Sequence, residues 1–211
     1  MEILMVPVFA LMAYMLGSVP TAVWIGKSFY NVDVRQHGSG NAGATNTFRV
    51  LGRKPGIVVF LIDVLKGWLA VQLSVFINSG GFTHNQYVNI QILLGLSALL
   101  GHIFPLWAQF KGGKGVATLF GLVIALHPAS AFLAFAVFIL LFVSSRYVSV
   151  GSIAAGIIYP LLVLFAFRLP SVSMHIFSVS MTGLLIFTHR KNIRRLINRE
   201  ESRFSFVKKG D

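Results

Sequence analysis

The segment from Gly38 to Arg49 reads GSGNAGATNTFR and has the residue types of an anion-binding loop. Small residues let a ligand approach the backbone closely, and successive N–H groups can bind an anion. Arg49 adds a guanidinium fork that fits phosphate. A flexible connector is the alternative, but connectors seldom combine Asn, Thr and Arg so densely. The predicted substrate contacts are Ser39, Gly40, Asn41, Thr45 and Asn46.

A second segment, Gly101 to Thr118, reads GHIFPLWAQFKGGKGVAT and places two lysines among three glycines. Such a turn, opening onto a helix N-terminus, favours phosphate binding. Its spacing does not match the nucleotide-binding P-loop. Lysines that mark a membrane border are the alternative, although the glycines fit that reading less well. The predicted contacts are Lys111, Gly112, Gly113, Lys114, Gly115 and Thr118.

The third segment runs from Thr188 to Glu201 and begins with a histidine. His189 and Asn192 are three residues apart, so they share a face if the helix continues. The histidine could serve as a base, an acid or a donor to phosphate. By itself, however, the segment also fits a basic amphipathic tail lying on anionic lipid.

Three smaller features complete the candidate chemistry. Asp63 and Lys66 lie three residues apart in an apolar segment, and the expected explanation is a structural ion pair, because charges in a membrane are costly unless paired. His102 either orients the Lys111 loop or donates to a carbonyl. Ser149, in the polar turn after the fourth long apolar stretch, is predicted to line the same pocket.

The composition requires a bilayer around these residues. Of 211 residues, 55% are hydrophobic and only 11% are charged, against about 25% in an average soluble domain. A soluble cytosolic enzyme and a disordered chain are therefore both excluded. The absence of Cys excludes disulfides and thiolate chemistry. The net charge of +12 points to phosphates or acidic lipid as partners. A metal-dependent head-group transferase would need several carboxylates near its phosphates, and Asp33 and Asp63 are too few and badly placed. No metal, cofactor, nucleic acid or obligate protein partner is predicted.

The apolar runs predict an all-α bundle of seven transmembrane helices in a single domain, residues 1–211. The segment 116–144 is ambiguous, but a break at His127-Pro128 makes it two helices. Seven spans place nearly all basic residues on the cytoplasmic side, with the N-terminus outside and the C-terminus inside. Residues 116–126 are then short for a span. The other predicted spans are 3–25, 56–77, 88–107, 147–167 and 172–188.

The three segments, in this order, resemble the bacterial integral-membrane acyl-phosphate:glycerol-3-phosphate acyltransferases, the PlsY type. The similarity also includes Gly17-Ser18 and the sequence DVLKG at Asp63 to Gly67, and it extends over nearly the whole chain. It implies a multi-pass protein of the bacterial plasma (inner) membrane. It also implies transfer of a fatty acyl group from acyl phosphate to the 1-hydroxyl of glycerol 3-phosphate at the cytoplasmic face.

The resemblance further implies roles for individual residues. Ser39 and Arg49 match the Ser and Arg that are important for activity in the family. The Gly112–Gly115 loop, with Lys111 and Lys114, matches the family's phosphate-binding loop. His189, Asn192 and either Glu200 or Glu201 match the third motif, where Asn198-Arg199 replaces the Gly that commonly precedes the family's Glu.

The expected mechanism is direct transfer between two bound substrates without an acyl-enzyme, because no serine elbow or acyltransferase His/Asp pair is present. Either His189 or the donor phosphate takes the hydroxyl proton, and substrate assistance is the working hypothesis. A transporter of a phosphorylated metabolite is the alternative, but the chain shows no internal repeat and its polar motifs lie at one predicted membrane face. A structural membrane anchor that binds acidic lipid is a third and weaker alternative, because it leaves the glycine-rich loops unexplained.

Overall fold

The computed structural model describes residues 2–77 and 81–204, and within these ranges it contains helices and turns but no β-strand. The described residues form ten α-helices in succession. They are α1 Glu2–Gly17, α2 Thr21–Tyr30, α3 Ala44–Leu51, α4 Arg53–Gln72, α5 His84–Ile103, α6 Val116–Leu126, α7 Pro128–Ser145, α8 Val148–Leu161, α9 Val172–Thr188 and α10 Arg190–Ile197. Short 3₁₀ turns cover Val34–Gln36, Leu73–Phe76 and Leu106–Ala108, and a π-helical turn covers Leu162–Ala166.

Within residues 2–77 and 81–204, five segments are long and apolar enough to cross a membrane: Met5–Tyr30, Arg53–Phe76, His84–Ala108, Pro128–Ser145 and Val148–Ala166. Helices α9 and α10, bent by 58°, make a sixth if they are counted together. The architecture is therefore that of an integral membrane protein. The predicted break at His127-Pro128 is confirmed, since α6 ends at Leu126 and α7 begins at Pro128. The seven-span count and the orientation of the termini stay predictions.

The short helix α6 has only 11 residues, about 16 Å at 1.5 Å per residue, against a hydrocarbon core of about 30 Å. The first predicted span, 3–25, is divided into α1 and α2 at Ser18-Val19-Pro20.

The chain forms two compact units, Met1–Leu126 and His127–Asp211. The prediction of one functional domain over 1–211 stays a prediction. In the first unit α4 packs on α6 and α1 packs on α5. Glycines permit the α4–α6 contact: a Cβ at Gly67 would meet the carbonyl of Thr118, and one at Gly121 would meet that of Val64. Small residues at contacts that let backbones approach are typical of membrane helices.

In the second unit α8 lies between α7 and α9. Pro160 interrupts the hydrogen bonding of α8 because proline has no N–H, which leaves the Gly156 carbonyl one turn earlier without its usual donor. Thr182 Oγ1 of α9 donates to this carbonyl at 2.6 Å. A polar side chain on a neighbouring helix thus repairs the break, as membrane helices require. His127 caps α7, its Nδ1 accepting from the Ser130 N–H at 3.2 Å.

Candidate active site

The loop that precedes α3 is shaped by one buried side chain, Asn46, which is 1% exposed. Its Nδ2 donates to the carbonyls of Val34 at 2.7 Å and His37 at 3.1 Å, and its Oδ1 accepts from the Ser39 N–H at 2.8 Å. Gly38 makes the turn possible with φ +61. Asn46 therefore fixes the loop and presents Ser39, whose side chain is exposed.

The other predicted contacts of the first motif lie on helix α3 and on the loop before it. Thr45 is half-buried and Arg49 is exposed, and their separation of four residues puts them on the same face of the helix. Asn41 is half-buried at the end of the loop, and Gly40 is exposed with φ +72. The first motif thus leaves Ser39 and Arg49 exposed and Thr45 half-buried, while Asn46 is buried.

The glycine-rich loop folds back on the end of α5. The Gly112 N–H donates to the carbonyl of Ile103 and the Gly113 N–H donates to that of His102, both at 3.2 Å. A Cβ at Gly112 would collide with the His102 carbonyl, so glycine is needed there for close approach. Gly115 has φ +79, and α6 begins at the next residue, as the sequence predicted.

The remaining predicted contacts of the second motif differ in exposure. Lys111 is exposed and Lys114 is half-buried. Thr118 is fully buried on the face of α6 that packs on α4, and its hydroxyl has no hydrogen-bond partner among the described residues. The structure therefore holds Thr118 in a helix contact, apart from the loop.

Arg35 ties the two loops together, a link that sequence analysis missed. Its guanidinium binds Asp33 through two bonds, Nε to Oδ1 at 2.9 Å and Nη2 to Oδ2 at 2.7 Å. Its Nη1 donates to the Ala108 carbonyl, in the turn before the glycine-rich loop, at 3.0 Å. The hydrogen bonds from Arg35 hold the pKa of Asp33 well below its usual range, and Asp33 in turn raises the pKa of Arg35. The sequence feature that could have indicated this ion pair is the Asp-x-Arg spacing of Asp33 and Arg35.

The predicted Asp63–Lys66 ion pair is confirmed, with Lys66 Nζ 2.9 Å from Asp63 Oδ1. The Thr21 hydroxyl donates to the same oxygen at 3.1 Å, and His102 Nδ1 lies 3.7 Å from it. All four side chains are buried. They line a small cavity together with backbone from both motifs, at Ala42 and Gly112. Of the two alternatives for His102, contact with the glycine-rich loop is the one the structure supports.

In the second unit, His189 lies at the bend between α9 and α10 and is 3% exposed. Its Nδ1 is 2.9 Å from the Leu185 carbonyl, which assigns the proton of the neutral ring to Nδ1. Asn192 is also buried, and its Nδ2 donates to Glu201 Oε1. The condition under which His189 and Asn192 would share a face, that the helix continues, is thus not met without a bend of 58° at the histidine.

Glu201 is the centre of this second cluster. Besides the bond from Asn192, its carboxylate accepts a hydrogen bond from Ser149 Oγ at 3.3 Å. Arg195 forms an ion pair with it, with Nε 3.0 Å from Oε2. Glu201 is buried while Glu200 is exposed. Of the two candidate glutamates, the structure therefore brings only Glu201 to Asn192 and Ser149. Sequence analysis did not identify Arg195, which is one of several basic residues in α10.

Most of the predicted residues accordingly lie in one region of each unit, the two loops in the first and the surroundings of Glu201 in the second, whereas Thr118 and Glu200 lie apart. In the described part of the chain, no group of three or more His, Cys, Asp or Glu side chains is arranged to hold a metal ion. Apolar side chains border the first cluster: Trp107 and Phe110, just before Lys111, are 52% and 56% exposed.

Known proteins share this sequence and fold. The family described as "Glycerol-3-phosphate acyltransferase" matches residues 7–199. A glycerol-3-phosphate acyltransferase of Pelodictyon phaeoclathratiforme is 42% identical, over 93% of this chain and 95% of its own. That of Enterococcus faecalis is 39% identical, over 94% and 92%.

Two solved structures are also similar. The crystal structure of PlsY, an integral membrane glycerol 3-phosphate acyltransferase, in its glycerol 3-phosphate form has a TM-score of 0.84 and 38% identity, covering 95% of this chain and 96% of that one. Its lysophosphatidic acid form has a TM-score of 0.81 and 37% identity, covering 96% and 97%. The resemblance inferred from the three motifs is confirmed, and this chain belongs to the glycerol-3-phosphate acyltransferase family.

Proposed function

We propose that this membrane acyltransferase transfers a fatty acyl group from acyl phosphate to the 1-hydroxyl of glycerol 3-phosphate. The products are 1-acylglycerol 3-phosphate and phosphate, in the first step of bacterial phospholipid synthesis. The observation that carries the proposal is the juxtaposition, within one unit, of two glycine-bearing loops around a cavity lined by Ala42 and Gly112. Both substrates carry phosphate, which such loops and their lysines bind well. The solved relatives in glycerol 3-phosphate and lysophosphatidic acid forms support the same reaction.

The proposal includes a location. We place the reaction at the cytoplasmic face of the bacterial plasma membrane, in a single functional domain with seven spans and the C-terminus inside. The support is the positive-inside rule, because this arrangement keeps nearly all Lys and Arg on one side. Addition of a reporter after Leu126, between α6 and α7, would test the arrangement by showing whether that point is outside.

The transfer itself exchanges one acyl–oxygen bond for another. The glycerol hydroxyl oxygen bonds to the acyl carbon, the bond from that carbon to the phosphate oxygen breaks, and the hydroxyl proton ends on the released phosphate. Holding donor and acceptor in line can lower the barrier by about 7–11 kcal/mol. Lys114, Lys111 and the N–H groups of the Gly112–Gly115 loop are the groups we assign to the charge that develops on the leaving phosphate.

The remaining residues bind the acceptor and position both phosphates. We assign Arg49 and Ser39 to the acceptor, with Gly40, Asn41 and Thr45 beside them on the same loop and helix. His189 and Asn192 position a phosphate in this proposal. Because Nδ1 of His189 faces the Leu185 carbonyl, Nε2 is the ring nitrogen that would face the substrate. To donate to a phosphate, Nε2 must carry a proton as well, so His189 acts in this proposal as the imidazolium. The donor phosphate, and not His189, takes the hydroxyl proton.

The activity can be tested by incubating the purified protein with acyl phosphate and glycerol 3-phosphate without added metal. Phosphate release and lysophosphatidic acid should rise together, depend on the acceptor, and disappear in Ser39→Ala. Ser144→Ala is the matched control, since the Ser144 hydroxyl donates to carbonyls of its own helix, Leu140 and Leu141. Acyl-CoA should fail as donor. Well-folded protein that yields neither product would refute the proposal.

The identity of the motif's glutamate has its own test, because two glutamates are adjacent. Glu201→Gln weakens the hold on Asn192 and Arg195, so activity should fall. Glu200→Gln changes an exposed side chain and should leave activity near that of the wild type. The reverse pattern would assign the role to Glu200.

The pH dependence of kcat distinguishes general-base catalysis by His189 from positioning of a phosphate by His189. A general base loses activity as pH falls and its imidazole is protonated, and His189→Gln would abolish that acidic limb. Under substrate assistance, His189→Gln lowers kcat at every pH and the limb that belongs to the substrate phosphate remains.

A further inference from the structure

We propose that Asp63 and His102 are positioning residues for acyl transfer, and that through them the interior of the membrane domain fixes the Gly112–Gly115 loop. This inference rests on the proposed function, because the loop is there assigned to the leaving phosphate. Neither residue needs to touch substrate. The Asp63 carboxylate fixes the imidazole ring of His102, and the ring packs against the Gly112–Gly115 loop and holds it in place.

The contact between His102 and the loop has two parts. The backbone carbonyl of His102 accepts the Gly113 N–H at 3.2 Å. The ring lies against the same glycine, so close that a Cβ at Gly113 would collide with Nε2. The other ring nitrogen, Nδ1, faces Asp63 Oδ1 at 3.7 Å. A rotation of the imidazole would therefore change the surface on which Gly113 rests.

The carboxylate that faces this ring is itself held from two sides. Lys66 Nζ is 2.9 Å and the Thr21 hydroxyl 3.1 Å from Asp63 Oδ1. Lys66 is anchored in turn to the Val19 carbonyl at 3.1 Å, in the break between α1 and α2. Asp63 is 2% exposed, which leaves it little freedom to move.

An ion pair that only stabilised the helices would not need this arrangement. Asp63 and Lys66 would satisfy each other within α4, and no third titratable group or cavity would be required. Instead, His102 joins them from α5, and the cavity they line is bounded by Ala42 of the first motif and Gly112 of the second. A change in the position of Asp63 or His102 would therefore displace the Gly112–Gly115 loop directly.

The test separates positioning from stability by a charge-balanced pair of substitutions. Asp63→Asn alone leaves Lys66 buried without its carboxylate, so the melting temperature should fall. Asp63→Asn/Lys66→Met removes both charges and should recover most of that loss. The His102 ring still lacks its carboxylate in the double variant. We expect kcat for phosphate release to remain low, by up to about 10²-fold for a loop displaced by about 1 Å.

The kinetic pattern distinguishes a displaced loop from a general loss of folded enzyme. We expect the KM for acyl phosphate to rise and the KM for glycerol 3-phosphate to stay near the wild-type value. Ser74→Ala is the matched control, because it removes a partly buried hydrogen bond from Ser74 Oγ, in the turn after α4, to the Tyr87 hydroxyl of α5 at 3.0 Å. It should lower the melting temperature without changing kcat.

If the double variant does not fold, His102→Asn gives the same information, since it leaves the Asp63–Lys66 pair intact. Its kcat should fall while its melting temperature stays near that of the wild type. The proposal is wrong if the double variant recovers wild-type kcat together with its stability, or if His102→Asn is fully active. An inactive wild-type protein would instead refute the proposed function, so the two failures are distinguishable.

Discussion

Replacement of Asn46 tests whether the first motif is built around a scaffold residue or a ligand. Asn46→Ala removes the three hydrogen bonds that join its amide to Val34, His37 and Ser39. We expect the loop to lose its shape, so that stability and acyl transfer fall together. Asn46→Asp should be worse, because an oxygen would replace Nδ2 opposite two carbonyl oxygens.

The size of the effect follows from the partners that remain. The Val34 carbonyl keeps the His37 N–H at 3.4 Å, and the His37 carbonyl keeps the Gly40 N–H at 3.1 Å. Because neither carbonyl is left without a donor, each lost hydrogen bond costs its net contribution to stability, about 1 kcal/mol. Three bonds give about 3 kcal/mol, or a melting temperature lower by roughly 6–12 °C for a chain of this size.

The assay is thermal unfolding in detergent, with phosphate release measured on the same samples. Asn41→Ala is the informative comparison, because Asn41 belongs to the same loop but its side chain makes no hydrogen bond within the described residues. It should lose activity at an unchanged melting temperature. A wild-type melting temperature for Asn46→Ala, with a raised KM for glycerol 3-phosphate, would refute the scaffold role and make Asn46 a ligand.

Three further predictions concern stability, and each is checked by thermal unfolding. The lowered pKa of Asp33 means that its carboxylate stabilises the fold fully above about pH 4, the unfolded value, and that this is lost as pH falls through the folded pKa. The difference between wild type and Asp33→Asn should thus be constant above about pH 4 and shrink below it; a constant difference down to lower pH would argue against this. Gly121→Ala should lower the melting temperature, whereas Gly183→Ala, which faces open space, should not. Thr182→Val should cost about 0.6–1.7 kcal/mol, and adding Pro160→Ala, which restores the missing N–H, should recover most of it.

Features that depend on local sequence were predictable. The helix break before Pro128 follows from the restriction that proline imposes on the preceding residue, and it is present. The Asp63–Lys66 pair follows from a spacing of three residues and the cost of charge in a membrane. The break at Ser18-Val19-Pro20 was missed because the apolar run continues on both sides of it.

Features that depend on packing were not predictable. His102 is 39 positions from Asp63 along the chain, and only the packing of α5 beside α4 brings their side chains together. Asn46 has the same side chain whether it binds backbone or substrate, so its type alone could not decide between them. The choice between the two glutamates depends on one turn, where Arg199 has φ +60 and directs Glu201 back toward Asn192.

The exposed Trp107 and Phe110 have a consequence for how the reaction rate must be described. Tryptophan favours the headgroup level of a bilayer, and Trp107 and Phe110 both lie just before the glycine-rich loop. A donor with a fatty chain would then reach the loop by lateral diffusion within the leaflet rather than from water. The relevant concentration is its mole fraction in the membrane, so diluting the donor with inert lipid should slow the enzyme even at a constant bulk amount.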